Sequence, residues 1–331
     1  MYIRRNYGFW MTLNWSKWPF ICGALYAAVI AGLNVLLDID LTLPWQPLSV
    51  LGIAVAFYLG FKNNSSYDRT WEARKIWGGI VNSSRTFASA VTSFISLVDD
   101  EEQRETQRTL IYRHIAWLTA LRYQLRLSRE WEHTEDRVKA MYIPNICEEY
   151  LSRLDHELEN LLSPEEINGY RTKANMAAQI LATQSRQVHN LYVAGYIDGF
   201  HLHRFHQIIQ ELYAEQGRAE RIKNFPFPRQ YASTALWTTL VFCALVPFGL
   251  LGIFGSSNGQ PSWLSIPFSG LIIWVFFLME KIGDYSENPF EGSYNDVPIT
   301  SIARAIEIDL REMIGDPDIP RPIAPENGFL M

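Results

Sequence analysis

The chain is poor in cysteine. Cys22, Cys147 and Cys243 are its only three, and they lie far apart. That spacing indicates neither a disulfide framework nor a zinc site. Basic residues are not in excess either: Lys and Arg total 29 against 35 for Asp and Glu, a net charge of −6. A nucleic-acid partner needs a basic face, so none is expected. Strand-like alternation, a Gly-rich phosphate loop and a short internal repeat are all missing from the sequence. No small-residue cleavage site follows Leu37, which argues for an uncleaved first helix and against a signal peptide.

Charge is also missing from four long apolar stretches, Phe20–Leu37, Pro47–Phe61, Thr234–Phe254 and Trp263–Met279. None holds an Asp, Glu, Lys, Arg or His. Runs this clean read as membrane spans. Pro47–Phe61 is the shortest and would cross only with help from Trp45 and its flanks. Trp10, Trp15, Trp18, Trp45 and Trp263 cluster at the expected interfaces, where amphipathic rings anchor spans. Arg4, Arg5 and Lys17 precede the first stretch; Lys62, Arg69, Arg74 and Lys75 follow the second. Arg218, Arg221, Lys223 and Arg229 precede the third, and Lys281 and Arg304 follow the fourth. The connector 38–45 has two acids and no base, and 255–262 has no charge. Basic flanks stay on the cytoplasmic side. The expected topology is therefore multi-pass, with both termini and the middle of the chain cytoplasmic.

The expected fold class is all-α: an integral membrane protein with four transmembrane helices and a large cytosolic helical region. Residues 1–331 read as one domain folded across the membrane boundary. Residues 20–61 form a first hairpin (helices 20–37 and 46–61), 62–231 the cytosolic helices, 234–279 a second hairpin (helices 234–254 and 263–279), and 280–331 a cytosolic C-terminal segment. Within the middle, helical spacing predicts helices over Trp71–Leu97, Leu110–Leu127, Ile146–Leu162, Lys173–Val193 and Asp198–Ala214. Asp99–Glu105 suits a helix start, and Ser163–Pro164–Glu165–Glu166 reads as a cap with Pro in the first turn. Pro226 and Pro228 should break the chain before the third span, and Asp or Asn in 287–298 should cap a last helix over Ile299–Ile314.

The spans carry no ionisable group, which disfavours a pump or a proton-coupled carrier. A passive path with an apolar constriction remains open. In the second span Gly52, Ala56 and Gly60 form a small-residue stripe, and Ser49, Ile53 and Phe57 form the stripe beside it. The second stripe either packs inside a helix cluster or rings a shared axis as a narrow neck. Asn64 and Asp68 continue it into water, as a vestibule lining or as a solvated helix end. Asp68 there would favour cations; Lys62 and Arg69, at neighbouring helical positions, would favour anions. His201, His203 and His206 do not share one helical face and read as solvated. Glu287, Glu291, Asn295 and Asp296 are too few and too loosely spaced for a calcium loop. His189, Arg229, Glu280 and Asp284 are the polar groups an enzyme would need at the membrane surface, but no nucleophile–base spacing links them, so no enzyme is expected.

Three blocks resemble one family. They are Phe57–Arg69 with Trp71–Glu72–Ala73–Arg74 and Trp77–Gly78; Glu220–Arg221–Ile222 with Pro226 and Pro228; and Glu287–Asn288–Pro289–Phe290 with Asn295–Asp296–Val297–Pro298. In content, order and spacing they resemble the bestrophins. The resemblance implies a homopentameric ion channel with one central pore, its neck lined by the second span. Ser49, Ile53 and Phe57 match the neck positions; Ser49 departs from the large apolar residue usual at the outer one. A second, cytosolic constriction would fall near Lys173–Met176, at Asn175 and Met176. Animal members bind calcium through an acidic run that here reads Glu291, Gly292, Ser293, Tyr294, Asn295, Asp296. Only Asp296 is a clear remnant, as in bacterial members, so neither calcium nor another cofactor is expected. The function implied is passive conduction of chloride or other anions, with further copies of the chain, membrane lipid and permeant ions as partners. A cation-permeable channel of the same fold and a non-conducting scaffold or sensor are the alternatives.

Overall fold

A computed structural model describes residues 1–37, 39–133, 153–255, 262–293 and 295–330. Cys147, Tyr294 and the first part of the expected helix Ile146–Leu162 lie outside the described residues. By their contacts the chain forms two units: Arg4–Arg69 with Phe227–Glu287, and Met1–Ile3 with Thr70–Pro226 and Asn288–Met331. The regular secondary structure of the described residues is helical, with only isolated β-bridges beside it.

The apolar unit holds α1 (Phe9–Leu36), the first part of α2 (Trp45–Phe94), α8 (Arg229–Gly255) and α9 (Ser265–Tyr285). α1 begins well before the apolar run at Phe20, because hydropathy marks where lipid can lie and not where backbone hydrogen bonding starts. It tolerates Pro19 within it, and α8 tolerates Pro247. α1 packs along α9, and α9 along α8. On α2 one face is buried: Leu48, Val55 and Leu59 meet Phe242, Cys243, Val246 and Leu250 of α8 and Ile273 of α9. The ring of Phe242 lies where a side chain at Gly52 would be, 2.8 Å from the Cβ that position lacks. Only that end of the small-residue stripe packs so tightly; Gly60 faces open space.

Among the described residues three stretches hold helices long and apolar enough to cross a membrane: Phe9–Leu36, Gly199–Phe254 and Ser265–Tyr285. The apolar start of α2 falls short. It is bounded by Gln46 and Lys62, and its 15 residues are fewer than the ~20 a span requires.

The second unit is built around α3 (Asp100–Arg126), which is buried on all sides from Leu110 to Tyr123. Packed with it are the rest of α2, α4 (Leu154–Glu159), α5 (Pro164–Arg171), α6 (Met176–Val193), α7 (Gly199–Asn224) and α10 (Ile299–Met313). The caps are local chemistry. Asp99 accepts from the Glu101 N–H at 2.8 Å, followed by three acids in the first turn of α3. Ser163 accepts from the Glu166 N–H at 3.3 Å with Pro164 in the first turn, and Asp198 accepts from the His201 N–H at 2.7 Å. α7 runs on past Ala214 to Asn224 before the prolines stop it. α10 buries Ile299, Ala303, Ile306 and Leu310 along one face. Its N-cap is Pro298 and not the expected Asp or Asn, since the Asp296 carboxylate is engaged elsewhere.

Candidate functional site

The face of α2 opposite Leu48, Val55 and Leu59 is uncovered in the single chain. Ile53 is 71% and Phe57 68% exposed, with Val50 and Phe61 beside them. Phe57 and Phe61 meet edge to face, their ring centroids 4.6 Å apart. Ser49 is half-buried and its hydroxyl donates to the Gln46 carbonyl at 2.7 Å. Asn64 and Asp68 continue the same face and are exposed. An apolar stripe this open on a helix whose other side is core marks a contact surface for another chain, for lipid, or for a narrow water path.

Lys62, which the sequence put at a helical position neighbouring that stripe, points away from it. Its ammonium is fully buried, 2.8 Å from Glu280 Oε1 and 3.6 Å from Asp284 Oδ1 on α9. A buried lysine must be paired, because desolvating it alone costs several kcal/mol. Arg69 is likewise turned aside: its Nε donates to the Glu287 carbonyl at 2.8 Å, while Arg229 stands 3.3 Å from the Glu287 carboxylate. So the bases at this end of α2 serve as structural partners: Lys62 of Glu280 and Asp284, and Arg69 of the Glu287 carbonyl, while Arg229 pairs with the Glu287 carboxylate. The signal missed in the sequence was the spacing Leu48–Val55–Leu59–Lys62–Ser66, which puts Lys62 on the core face.

In the other unit, Asn175 is the N-cap of α6. Its Oδ1 accepts from the Ala178 N–H at 2.9 Å and its Nδ2 donates to Glu220 Oε1 at 2.9 Å. Glu220 also accepts from Gln216 at 2.7 Å and Gln124 at 3.0 Å, and Trp117 Nε1 donates to Gln216 at 2.9 Å. Met176 follows in the first turn, half-buried. The network holds the start of α6 firmly in place.

Asp296 is buried against Arg126, whose Nη1 lies 2.7 Å from Oδ2. Oδ2 also accepts from the Gly292 N–H at 2.5 Å, and Oδ1 accepts from the Ser293 hydroxyl at 2.7 Å. Glu291 accepts from Asn288 at 3.2 Å and from the His133 N–H at 3.3 Å. Asp296 and Glu291 are thus both held by protein donors. Among the described residues no group of three or more His, Cys, Asp and Glu is arranged for a metal. His201 stacks on Phe94, His203 meets Gln207 and His206 meets Ser185, so the three do not converge. His189 is exposed on α6, in a different unit from Glu280, Asp284 and Arg229.

The model of the family described as Bacterial/Fungal Bestrophin protein matches residues 17–312. The chain belongs to this bestrophin family. Among its relatives are voltage-dependent anion channel-forming proteins of Mesorhizobium japonicum and Ralstonia nicotianae. The first is 29% identical, covering 90% of this chain and 85% of the relative; the second is 30% identical, covering 86% and 81%. The protein YneE of Escherichia coli K12, named likewise, is 29% identical over 86% of this chain and 81% of its own. A crystal structure of a bacterial bestrophin homolog from Klebsiella pneumoniae has the same fold: TM-score 0.75, 24% identity, 91% of this chain and 99% of that one covered. Bestrophin membership and apolar helices of spanning length make this a membrane protein of channel type and not an enzyme.

Proposed function

We propose that this bestrophin conducts anions, chloride among them, passively through a pore shared by five copies. The Ser49–Ile53–Phe57 stripes of α2 ring the axis as a hydrophobic neck. The observation that carries this reading is the uncovered apolar face of α2, set opposite a core-packed face on the same helix. A cyclic assembly turns one surface of every subunit to a common axis. An apolar ring there dehydrates ions and gates by dewetting. In the assembly the short apolar start of α2 completes a fourth span, supported on α8 and α9. Both termini lie in the cytoplasm and the spans sit in a bacterial inner membrane. Asn64 and Asp68 line the vestibule below the neck, and Met176, held by the Asn175 network, forms the cytosolic aperture. Calcium is not needed: both Asp296 carboxylate oxygens are already engaged by Arg126, Gly292 and Ser293.

One observation favours conduction of cations through the same architecture. With Lys62 and Arg69 turned away, Asp68 is the charge that the stripe itself brings below the neck. Planar-bilayer recording of purified protein under a salt gradient decides between the two, since the sign of the reversal potential gives the carrier. Ile53→Ala and Phe57→Ala recorded alongside test the neck: each should raise single-channel conductance, and unchanged currents in both would remove the assignment. A non-conducting scaffold would give no current at all.

A further inference from the structure

A groove runs down α1 in the apolar unit, walled by α8 and α9 and enclosing about 560 Å³. Trp15, Trp18 and Lys281 stand at one end; Tyr26, Leu240 and Cys243 lie toward the other. The polar groups of Ser16, Tyr26 and Trp274 in its walls already have partners. Ser16 donates to the Thr12 carbonyl at 2.7 Å and accepts from Trp274 Nε1 at 3.0 Å, and the Tyr26 hydroxyl donates to the Ala244 carbonyl at 3.0 Å. Walls so satisfied offer an occupant only apolar contact. Lys281 is different. It is exposed, with Nζ 5.5 Å from the centroid of the Tyr285 ring. The carboxylates flanking it on α9, Glu280 and Asp284, face Lys62 instead, at 2.8 and 3.6 Å. From Trp15 to Tyr26 the helix rises roughly 16 Å. That is half of the ~30 Å hydrocarbon core, the depth of one leaflet.

We propose that this groove binds one acyl chain of an anionic phospholipid, with the lipid phosphate held by Lys281 and the indoles of Trp15 and Trp18 at headgroup depth. Tryptophans and a lysine at one end of a leaflet-long apolar channel complement an amphiphile with a negative head. One lysine near an anionic surface contributes about a fivefold preference. The site rests on the membrane placement of α1, α8 and α9 and not on conduction.

The test uses delipidated full-length protein. Native mass spectrometry compares phosphatidylglycerol with phosphatidylcholine of the same chains. In a Cys147→Ser background, maleimide alkylation of Cys22, the exposed thiol in the groove, reports occupancy. Phosphatidylglycerol should be retained about fivefold over phosphatidylcholine. Lys281→Ala should bring the two level and Lys281→Arg should keep the preference. Phosphatidylglycerol should slow alkylation of Cys22, whereas inorganic phosphate should not. Equal retention by the wild type, an unchanged ratio in Lys281→Ala, or protection by phosphate alone overturns the proposal. Protection of Cys22 without any lipid overturns it too, giving the groove to a second copy of the chain. Neither measurement reads current, so failure of the channel reading would leave this result standing.

Discussion

Replacing Lys62 by methionine keeps most of the unbranched side chain and removes its charge. The ammonium is 0% exposed and sits 2.8 Å from Glu280, itself buried, with Asp284 at 3.6 Å. Removing one member of a buried pair leaves the other as an uncompensated charge, which costs about 3–5 kcal/mol. Glu280 would bear most of this, since Asp284 is a third exposed and reaches water. Glu280→Gln alone strands the lysine, though Asp284 is left to share it, so its cost should lie at the lower end. The double variant Lys62→Met/Glu280→Gln removes both charges and should recover much of the loss, because neither buried position then holds an uncompensated charge. Unfolding in mixed detergent–SDS micelles, followed by circular dichroism, yields the double-mutant cycle. A coupling energy of about 2 kcal/mol or more is expected; one below ~0.5 kcal/mol would refute the claim that this pair fixes α2 against α9. The same variants should lose channel activity in step with stability, since a neck helix free to rotate no longer presents Ile53 and Phe57.

Asp68→Asn removes the charge below the neck and should shift the reversal potential toward the anion equilibrium value. The permeability ratio should change about fivefold, as expected for ~1 kcal/mol at close approach in water. Burial holds the His114 imidazole down at about 3, stacked on Phe87 and hydrogen-bonded to Ser84 at 2.9 Å. Between pH 3 and an unfolded value near 6.5 the unfolded chain therefore binds more protons. The stability His114 contributes is complete above pH 6.5 and falls by about 1.4 kcal/mol per pH unit below it. Melts from pH 7.5 to 4.5 should show that slope, reduced by one proton in His114→Phe. Asp296→Asn should destabilise by about 3–5 kcal/mol through the stranded Arg126 guanidinium. Currents from the unaltered protein should be the same in calcium and in chelator; activation by calcium would show that loop 287–298 opens to a metal.

Much of the helical plan was legible because its signals are local. The cap at Ser163, the acidic helix start at Asp99–Glu105, the break at Pro226 and Pro228, and the apolar runs depend on a few neighbouring residues, and the structure repeats them. The face of α2 carrying Ile53 and Phe57 was also legible, as a stripe of fixed helical spacing. Which neighbour each charge would find was not. Lys62 and Glu280 are 218 positions apart, as are Arg69 and Glu287, while Arg126 and Asp296 are separated by 170. Helical spacing says which residues share a face but not what that face meets. Hence Lys62 could be read as a charge beside an ion path until α9 was placed against it. The sequence alone determined an all-helical membrane chain with an apolar stripe on its second long helix, because periodicity and hydropathy are properties of adjacent residues. Only the tertiary structure decided which charges are consumed in the core and which stay exposed, because desolvation and pairing depend on partners brought together from distant parts of the chain.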